Sequence, residues 1–512
     1  MAPDAGPKGK AAGGFDLLDH FERFLAEPPP QSLLITGSAG TGKSTLVRTL
    51  LPRLKGQGIF VAYRSEPDRS PGDGAAGSGP VLSLLLVDPE GERNGEGAPA
   101  PSDPAGLMSF APASARSEEA FPTPILSAVQ RMVAAGGGFV VVDTWDPSTE
   151  REFRSRAGDS GAVEVITTTT PIMRAKFGRL PIRGIFVVAE IPDGEMRTAA
   201  DGIVELGWEE LDGFRLRVIS IPKLRDIPAP ESRYLYSLDG GDFHCPPQLP
   251  IGFRPPIGPP EPDPAPDDAS LFPGSSAFVN AFGRLRFHGL TGLQVPPRFS
   301  GTMGDVFLYP VVAHALSIGG RAVWIPSAAS SPGQILAQLS RWIPADFLRE
   351  RLRIVTPWGP DPGLGEFKSV ALPIRRAPDD GRDVRSVVAP GVGPLFPDAF
   401  RFLQATPEGR PTLYVIYIDG VRALASIAGA PLNPETFPMI VSGYARLPRF
   451  HGFGFGRSDD PVIRVLAASL DTHIQIEEKY GRTVLLGIRP RTHPYILDWD
   501  FSSGRYELLP MK

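Results

Sequence analysis

The feature that most constrains this chain is a glycine-rich segment that follows a short apolar run. The segment reads Gly-Ser-Ala-Gly-Thr-Gly-Lys-Ser and spans Gly37 to Ser44. It fits the pattern G-x-x-x-x-G-K-[ST], which is specific when a buried strand precedes it and a helix follows it. Residues 32–36 are apolar enough for that strand, and residues 44–54 carry leucine and valine at helical spacing. The sequence therefore predicts a strand, a tight loop and a helix in direct succession.

Each residue type in this segment suits the binding of phosphate. Glycine lets the backbone curl so that successive N–H groups point at one anion, and the start of a helix adds its dipole. The Lys43 ammonium can reach the β- and γ-phosphates, and the Ser44 hydroxyl can ligate Mg²⁺. The alternative interpretation is a glycine-rich turn without a ligand. We expect a nucleoside triphosphate with Mg²⁺, held by Gly37, Ser38, Ala39, Gly40, Thr41, Gly42, Lys43, Ser44 and Thr45.

A second protein ligand for the metal is expected at the end of a neighbouring apolar strand. Residues 139–142 form such a run, and Asp143 follows them directly. The alternative is an ordinary acidic residue in a turn, since Asp146 and Pro147 come shortly afterwards. Because the phosphate-binding pattern is present, we favour the metal role for Asp143 and count it with Lys43 among the catalytic residues.

A carboxylate that activates the attacking water is harder to assign. Glu66 lies just past a predicted strand at 58–63, which follows the helix after the glycine-rich segment. Glu190, at the end of a later predicted strand, is the alternative. We take Glu66 as the candidate general base, although each of these residues could equally be an ordinary strand-end acid.

The chain of 512 residues is too long for one ordinary domain. Proline recurs about every third residue from 246 to 273, which predicts an extended linker. Apolar strands alternate with helices on both sides of it, so we predict an α/β fold with mostly parallel sheets and helices on both faces. We expect a disordered segment 1–14, a first domain 15–245, the linker 246–273 and a second domain 274–512, closed by strands at 462–468, 473–477 and 483–488.

The two domains carry three pairs of similar segments in the same order. Residues 58–63 resemble 320–325, residues 139–143 resemble 414–419, and residues 200–206 resemble 470–476. Each match is weak alone, but their shared order favours a duplicated domain. The second copy has no G-K-[ST] near Gly301 to Asp305, and an aspartate in place of the lysine would repel phosphate. We therefore expect the second domain to bind no nucleotide and to serve regulation or assembly.

Charge and cysteine content exclude some classes of protein. The formal net charge is −5, which gives no sign of a surface built to hold a nucleic-acid polyanion. The single cysteine, Cys245, allows neither an intramolecular disulfide nor a cysteine-rich metal site. The first residues lack the apolar core of a signal peptide, and the longest apolar stretch, 306–318, is too short and interrupted to span a bilayer. We expect a cytoplasmic protein that does not enter a membrane.

The first domain resembles the RecA-like ATPases of the KaiC and RadA group. The resemblance is carried by Gly37 to Ser44, Val140 to Thr144, and the segments 200–206 and 217–225. In that group a Lys-x-Arg element reaches the nucleotide of the neighbouring subunit in a ring. This implies that Lys223 and Arg225 act on phosphates across the subunits of a homo-oligomer; the alternative is a solvated basic strand end. The resemblance also implies ATP rather than GTP, and no guanine-reading N-K-x-D pattern stands out.

The whole chain is most similar to archaeal gas-vesicle regulators of the GvpD type. This resemblance rests on the short helix predicted near the N-terminus, on Asp143-Thr144-Trp145-Asp146, and on the degenerate second domain. It implies an ATP-dependent regulatory switch that acts on a protein partner such as a transcriptional activator. One departure is Arg64-Ser65-Glu66, which stands where the KaiC group usually has paired glutamates, and it implies slow hydrolysis.

Two other functions stay open. A RadA-like DNA-dependent ATPase would present basic loops to a strand of DNA. The loop 191–197 is net acidic, and acidic neighbours dilute the basic residues at 349–353 and 375–376, so DNA is not favoured. The other function is ATP sensing without hydrolysis.

Arg489-Pro490-Arg491 takes the place of Lys223-Leu224-Arg225 in the second domain. This segment either completes the intact site or is a basic loop.

Overall fold

The computed structural model of the chain divides into two compact units. Phe15–Pro246 and Met511–Lys512 form the amino-terminal unit, and Pro247–Pro510 belong to the carboxyl-terminal unit. The structure describes residues 17–26, 32–50, 53, 58–64, 81–87, 107–109, 138–145, 182–188, 197, 200–228, 231–247, 257–297, 302–356, 362–373, 397–427, 447–500 and 502–512. The predicted disordered segment 1–14 and the candidate base Glu66 lie outside these residues.

The amino-terminal unit is built on one mixed sheet. Its described helices are α1 (Leu17–Ala26) and α2 (Lys43–Leu50). Its strands are β1 (Ser32–Gly37), β2 (Gly58–Arg64), β3 (Val81–Val87), β4 (Leu107–Ser109), β5 (Gly138–Trp145), β6 (Ile182–Val188), β7 (Gly202–Leu211), β8 (Phe214–Leu224) and β9 (Arg233–Leu235). Both helices bury apolar residues at helical spacing against this sheet, including Phe21 and Phe24 of α1 and Leu46 and Val47 of α2.

The strand order in this sheet is β4-β3-β2-β5-β6-β1-β7-β8-β9. The five strands from β2 to β7 in this order are parallel, and antiparallel strands flank them on both sides. β1 therefore lies inside the sheet, and its residues Leu33, Leu34 and Ile35 are buried. The predicted hairpin between β7 and β8 is confirmed: it turns at Asp212 and Gly213, whose φ angles of 50° and 77° suit a two-residue hairpin turn.

The carboxyl-terminal unit is larger. Its helices are α3 (Ser276–Phe282), α4 (Thr302–Ser317), α5 (Pro332–Leu339), α6 (Ala345–Arg351), α7 (Pro397–Gln404), α8 (Ile418–Ile427) and α9 (Pro461–Ala467). Its strands are β10 (Ser270–Leu271), β11 (Leu285–Arg286), β12 (Gly289–Val295), β13 (Arg321–Ile325), β14 (Leu352–Thr356), β15 (Ala371–Pro373), β16 (Thr412–Tyr417), β17 (Phe450–Arg457), β18 (Thr472–Lys479), β19 (Arg482–Arg489), β20 (Tyr495–Asp500) and β21 (Arg505–Pro510).

The main sheet of this unit has the order β15-β14-β13-β16-β17-β12-β18-β19-β20-β21. Helices cover both of its faces, because alternate residues of one strand enter different cores. Ala322 and Trp324 of β13 pack in the core that contains α4, α5 and α6. Val323 and Ile325 pack in the core that contains α7, α8 and α9. The α/β class predicted from the sequence is confirmed, with mixed sheets in both units.

The two sheets share one strand order over six strands. In the amino-terminal unit it is β2-β5-β6-β1-β7-β8, and in the carboxyl-terminal unit it is β13-β16-β17-β12-β18-β19. In each set the first five strands are parallel and the sixth is antiparallel to its neighbour. The three pairs of similar sequence segments lie at equivalent strands of the two sets. The sheets differ outside this set, since β3 is antiparallel to β2 whereas β14 is parallel to β13.

Two sequence predictions differ from the structure. Residues 462–468, predicted as a strand, lie mainly in α9; Asp460 caps this helix by accepting from Val462 N, and Pro461 occupies its first turn, where no N–H is needed. Part of the predicted linker is also packed, since Ile257, Leu271 and Phe272 are buried.

Within the described ranges, no helix is long and apolar enough to cross a membrane.

Candidate functional site

The glycine-rich segment joins β1 to α2 as a tight loop. The loop glycines Gly37, Gly40 and Gly42 have φ angles of 146°, 76° and 90°, which side chains rarely adopt. A Cβ atom on Gly37 would lie 2.1 Å from the carbonyl oxygen of Leu206, and one on Gly42 would lie 2.5 Å from the Leu238 side chain. The strand–loop–helix succession predicted from the sequence is therefore present, and two of its glycines are required by close approach as well as by backbone conformation.

Lys43 begins α2 and folds back over the loop. Its Nζ donates to the carbonyl oxygens of Gly37 at 2.6 Å and Ser38 at 2.9 Å. The Thr41 hydroxyl donates to the same Ser38 carbonyl at 2.8 Å. The ammonium group is therefore held directly above the main chain of the loop, next to the start of a helix. This is an arrangement of positive charge that favours an anion.

Ser44 and Thr45 occupy the first turn of α2, and both are partly buried. The Thr45 carbonyl accepts from the Thr49 hydroxyl at 2.9 Å, and Thr49 Oγ1 accepts in turn from the Phe243 main-chain N–H at 3.2 Å. The start of the helix is thus tied to the segment that follows β9.

Tyr236, just after β9, supports the loop from the protein interior. Its hydroxyl donates to the Thr41 carbonyl, and its ring stacks on Phe243 with 4.6 Å between centroids. Burial raises the pKa of Tyr236 to about 12, so the hydroxyl remains a donor at neutral pH. Leu238 lies against Gly42 from the same segment. Residues 236–243 therefore fix the loop and the first turns of α2.

Arg217 of β8 holds the other side of the loop. Its Nη1 donates to the Gly40 carbonyl at 3.0 Å, and its Nε donates to the main-chain carbonyl of Lys512. The guanidinium also lies over the Trp208 ring of β7, at 4.1 Å from the centroid. Sequence reasoning missed Arg217, Trp208 and Tyr236. One feature of the sequence does indicate a buried position for Arg217. Residues two apart in a strand lie on the same face, so Arg217 shares a face of β8 with the buried Ile219 and Ile221.

A cleft of about 890 Å³ opens beside the loop. Residues 36–39 of β1 and the loop line it, together with residues 205–209 of β7 and side chains from β8 and β9. Two ion pairs lie along it: Arg197 contacts Glu205 at 2.7 Å, and Arg233 lies 3.8 Å from Glu209. A volume of this order is typical of sites that hold a small organic molecule.

Asp143 lies in β5, at the carboxyl end of a parallel strand. β6 alone separates β5 from β1, so the axes of β5 and β1 are about 10 Å apart. Asp143 pairs with Ala62 of β2, and Val142 pairs with Phe186, which is also the partner of Leu34 in β1. Asp143 thus lies towards the same ends of the parallel strands as the loop. Glu66, two residues beyond β2, lies outside the described residues, so its predicted role as a base stays a prediction.

Lys223 and Arg225 lie near the other ends of the parallel strands, where β1 and β7 begin. Lys223 pairs with Ile203 near the start of β7, and its Nζ donates to the Ala200 carbonyl at 2.6 Å. Arg225 contacts the buried Asp201 carboxylate at 2.8 Å. The start of β7 pairs with Leu33, which is roughly 13 Å along β1 from Gly37 given the rise of a strand. The structure does not bring these two residues to the loop of their own chain, and their role across a subunit boundary stays a prediction.

In the carboxyl-terminal unit, the helix that corresponds to α2 begins with different groups. There α4 follows β12 as α2 follows β1, and Asp305 in the first turn of α4 accepts a hydrogen bond from the Tyr417 hydroxyl. Tyr417 is fully buried, and burial together with the Asp305 charge raises its pKa well above the ordinary value. A Cβ atom on Gly304 would lie 2.5 Å from the Phe455 ring. A carboxylate and two aromatic rings thus stand at the start of this helix.

Two other residues of the carboxyl-terminal unit have structural partners. The Asp419 carboxylate accepts from the Ser327 hydroxyl at 2.6 Å and from the Ala328 N–H at 3.1 Å, so it fixes the loop after β13. Arg489 donates to the Leu470 carbonyl at 2.8 Å. The contact of Arg489 joins the end of β19 to the residues before β18. Each residue therefore has a structural role within this unit.

The comparisons with known proteins supply no family for this chain: it matches no protein-family model and no curated protein.

Proposed function

We propose that the amino-terminal unit binds ATP with Mg²⁺ and belongs to the RecA-like ATPases. The observation that carries this proposal is the loop between β1 and α2. Its three positive-φ glycines, its buried supports and the Lys43 ammonium form a rigid, positively charged cradle at a helix start. Such a cradle suits the phosphates of a nucleotide because main-chain N–H groups, helix dipole and ammonium act on the same anion.

The strand order supports the same proposal. The loop follows an interior strand in the parallel part of the sheet, and ligands of open α/β sheets bind outside the carboxyl ends of the parallel strands. Asp143 lies towards the carboxyl end of β5, which β6 separates from β1. We assign Ser44 and Asp143 to hold Mg²⁺, which would neutralise charge on the phosphates. Lys43 would contact the β- and γ-phosphates, and Glu66 would orient the attacking water.

The biological role we propose is a regulatory switch that acts on a protein partner. The carboxyl-terminal unit has the same core strand order as the amino-terminal unit but carries Asp305, bonded to Tyr417, at the start of the helix that corresponds to α2. A chain with one phosphate loop and a second unit that lacks the G-K-[ST] pattern suits a protein in which nucleotide binding changes the contacts that it makes with a partner. The resemblance to gas-vesicle regulators points to a transcriptional activator as partner, and Lys223 and Arg225 would act between subunits of a homo-oligomer.

Turnover of ATP by the purified wild-type chain, with and without single-stranded DNA, tests this function. We expect slow, Mg²⁺-dependent release of phosphate that single-stranded DNA leaves unchanged. Sizing in parallel, with and without MgATP, reports whether the nucleotide changes the assembly. Strong stimulation by DNA would replace the regulatory switch by a recombinase-like activity. Tight binding without turnover would leave a sensor of ATP, and the absence of binding would contradict the proposal altogether.

A further inference from the structure

We infer that Trp208 is the platform on which the base of the bound nucleotide stacks. This inference rests on the proposed function, because it assigns the base-binding part of the same site. The ligand class is a nucleoside triphosphate whose phosphates lie on the loop and whose base extends along β7.

The position of Trp208 follows from the register of β1 and β7. Gly37, the last residue of β1, pairs with Leu206. β7 continues past this level, so Trp208 stands two residues beyond the carboxyl end of β1, about 7 Å further along the strand direction. The residues that line the cleft beside the loop include Gly37, Ser38, Ala39 and Trp208. A nucleotide with its phosphates on the loop would therefore meet Trp208 with its sugar and base.

The surroundings of Trp208 suit stacking. The side chain stays 38% exposed, although burying an indole is energetically favourable. Its ring is backed by the Arg217 guanidinium, which is itself only 8% exposed and is bonded to the Gly40 carbonyl. The indole is thus both accessible and held in place by a group attached to the phosphate loop. An aromatic side chain that is rigid and accessible is the kind of surface on which bases stack.

Comparing a nucleotide with its phosphate chain alone separates stacking from phosphate binding. The affinities of MgATP and of inorganic tripolyphosphate with Mg²⁺ would be measured for the wild type, Trp208→Ala and Trp208→Phe. We expect Trp208→Ala to weaken ATP binding about tenfold, because a stacked base is lost, and to leave tripolyphosphate binding unchanged. Trp208→Phe keeps an aromatic face and should retain most of the ATP affinity. Glu210→Ala, an exposed neighbour on β7, is the matched control and should change neither affinity.

Three results would overturn the inference, each for a different reason. Full ATP affinity in Trp208→Ala would show that the base lies elsewhere. An equal loss for ATP and tripolyphosphate would show that Trp208 acts only by supporting the loop through Arg217. A wild-type chain that binds neither ligand would remove the proposed function itself, and the inference with it.

Discussion

A Lys43→Ala variant is expected to bind MgATP about 100-fold more weakly than the wild-type chain and to show no turnover above background. The Lys43 ammonium donates to two carbonyl oxygens of the loop, at 2.6 Å and 2.9 Å, so its charge is held beside the main chain to which we assign the phosphates. Removing it takes away the ammonium charge over the loop and leaves the main-chain N–H groups, the helix dipole and Arg217 on the other side of the loop. The affinity would be measured by calorimetry and the turnover by phosphate release.

Arg48→Ala is the matched control for this variant. Arg48 lies on the same helix and carries the same charge, but it is exposed and one turn away from the loop. It should keep the wild-type affinity within about twofold, because exposed charges at that distance are screened by salt. If Lys43→Ala bound MgATP as tightly as Arg48→Ala, the loop would be a glycine-rich turn and not a phosphate site.

Gly37→Ala is expected to be strongly destabilising. The added Cβ would lie 2.1 Å from the Leu206 carbonyl oxygen and 2.9 Å from Thr41 Oγ1, at a φ angle of +146°. Both the pairing of β1 with β7 and the start of the loop would have to move. We expect a loss of roughly 3 kcal/mol in the free energy of opening this region, together with the loss of ATP binding.

Gly40→Ala separates strain from collision. Gly40 has a φ angle of +76°, but an added Cβ would meet nothing within 4 Å. Its cost should be limited to the left-handed backbone conformation, about 1 kcal/mol. Native-state hydrogen exchange of the β1 and β7 amides would measure both variants, because it reports this region separately from the carboxyl-terminal unit. Equal costs for the two variants would contradict the packing described here.

The sequence predicted those parts of the fold that local patterns determine. Gly37 to Ser44 fixed the succession of strand, loop and helix, because each glycine and the lysine have local reasons to occur there. Asp212 and Gly213 fixed the hairpin of β7 and β8 through their turn chemistry. The three similar segment pairs fell on equivalent strands, since buried parallel strands carry apolar runs that can be compared directly.

The parts that were missed depend on contacts between distant residues. Tyr236 and Arg217 bond to the loop across 195 and 177 residues of sequence, and no local pattern announces such a pairing. The run 462–468 is short, and periodicity alone does not separate a short strand from a short helix. The capping residue Asp460 and the proline that follows it are the features of the sequence that favour a helix there.

We propose that each chain has one phosphate site, in its amino-terminal unit, and that its carboxyl-terminal unit binds no nucleotide. Calorimetric titration of the full chain with MgATP measures the number of sites directly, and a parallel titration of Lys43→Ala shows where the binding occurs. We predict one nucleotide per chain for the wild type and about 100-fold weaker binding for the variant. Two nucleotides per chain, or wild-type affinity in Lys43→Ala, would contradict the assignment of the loop after β1 as the site.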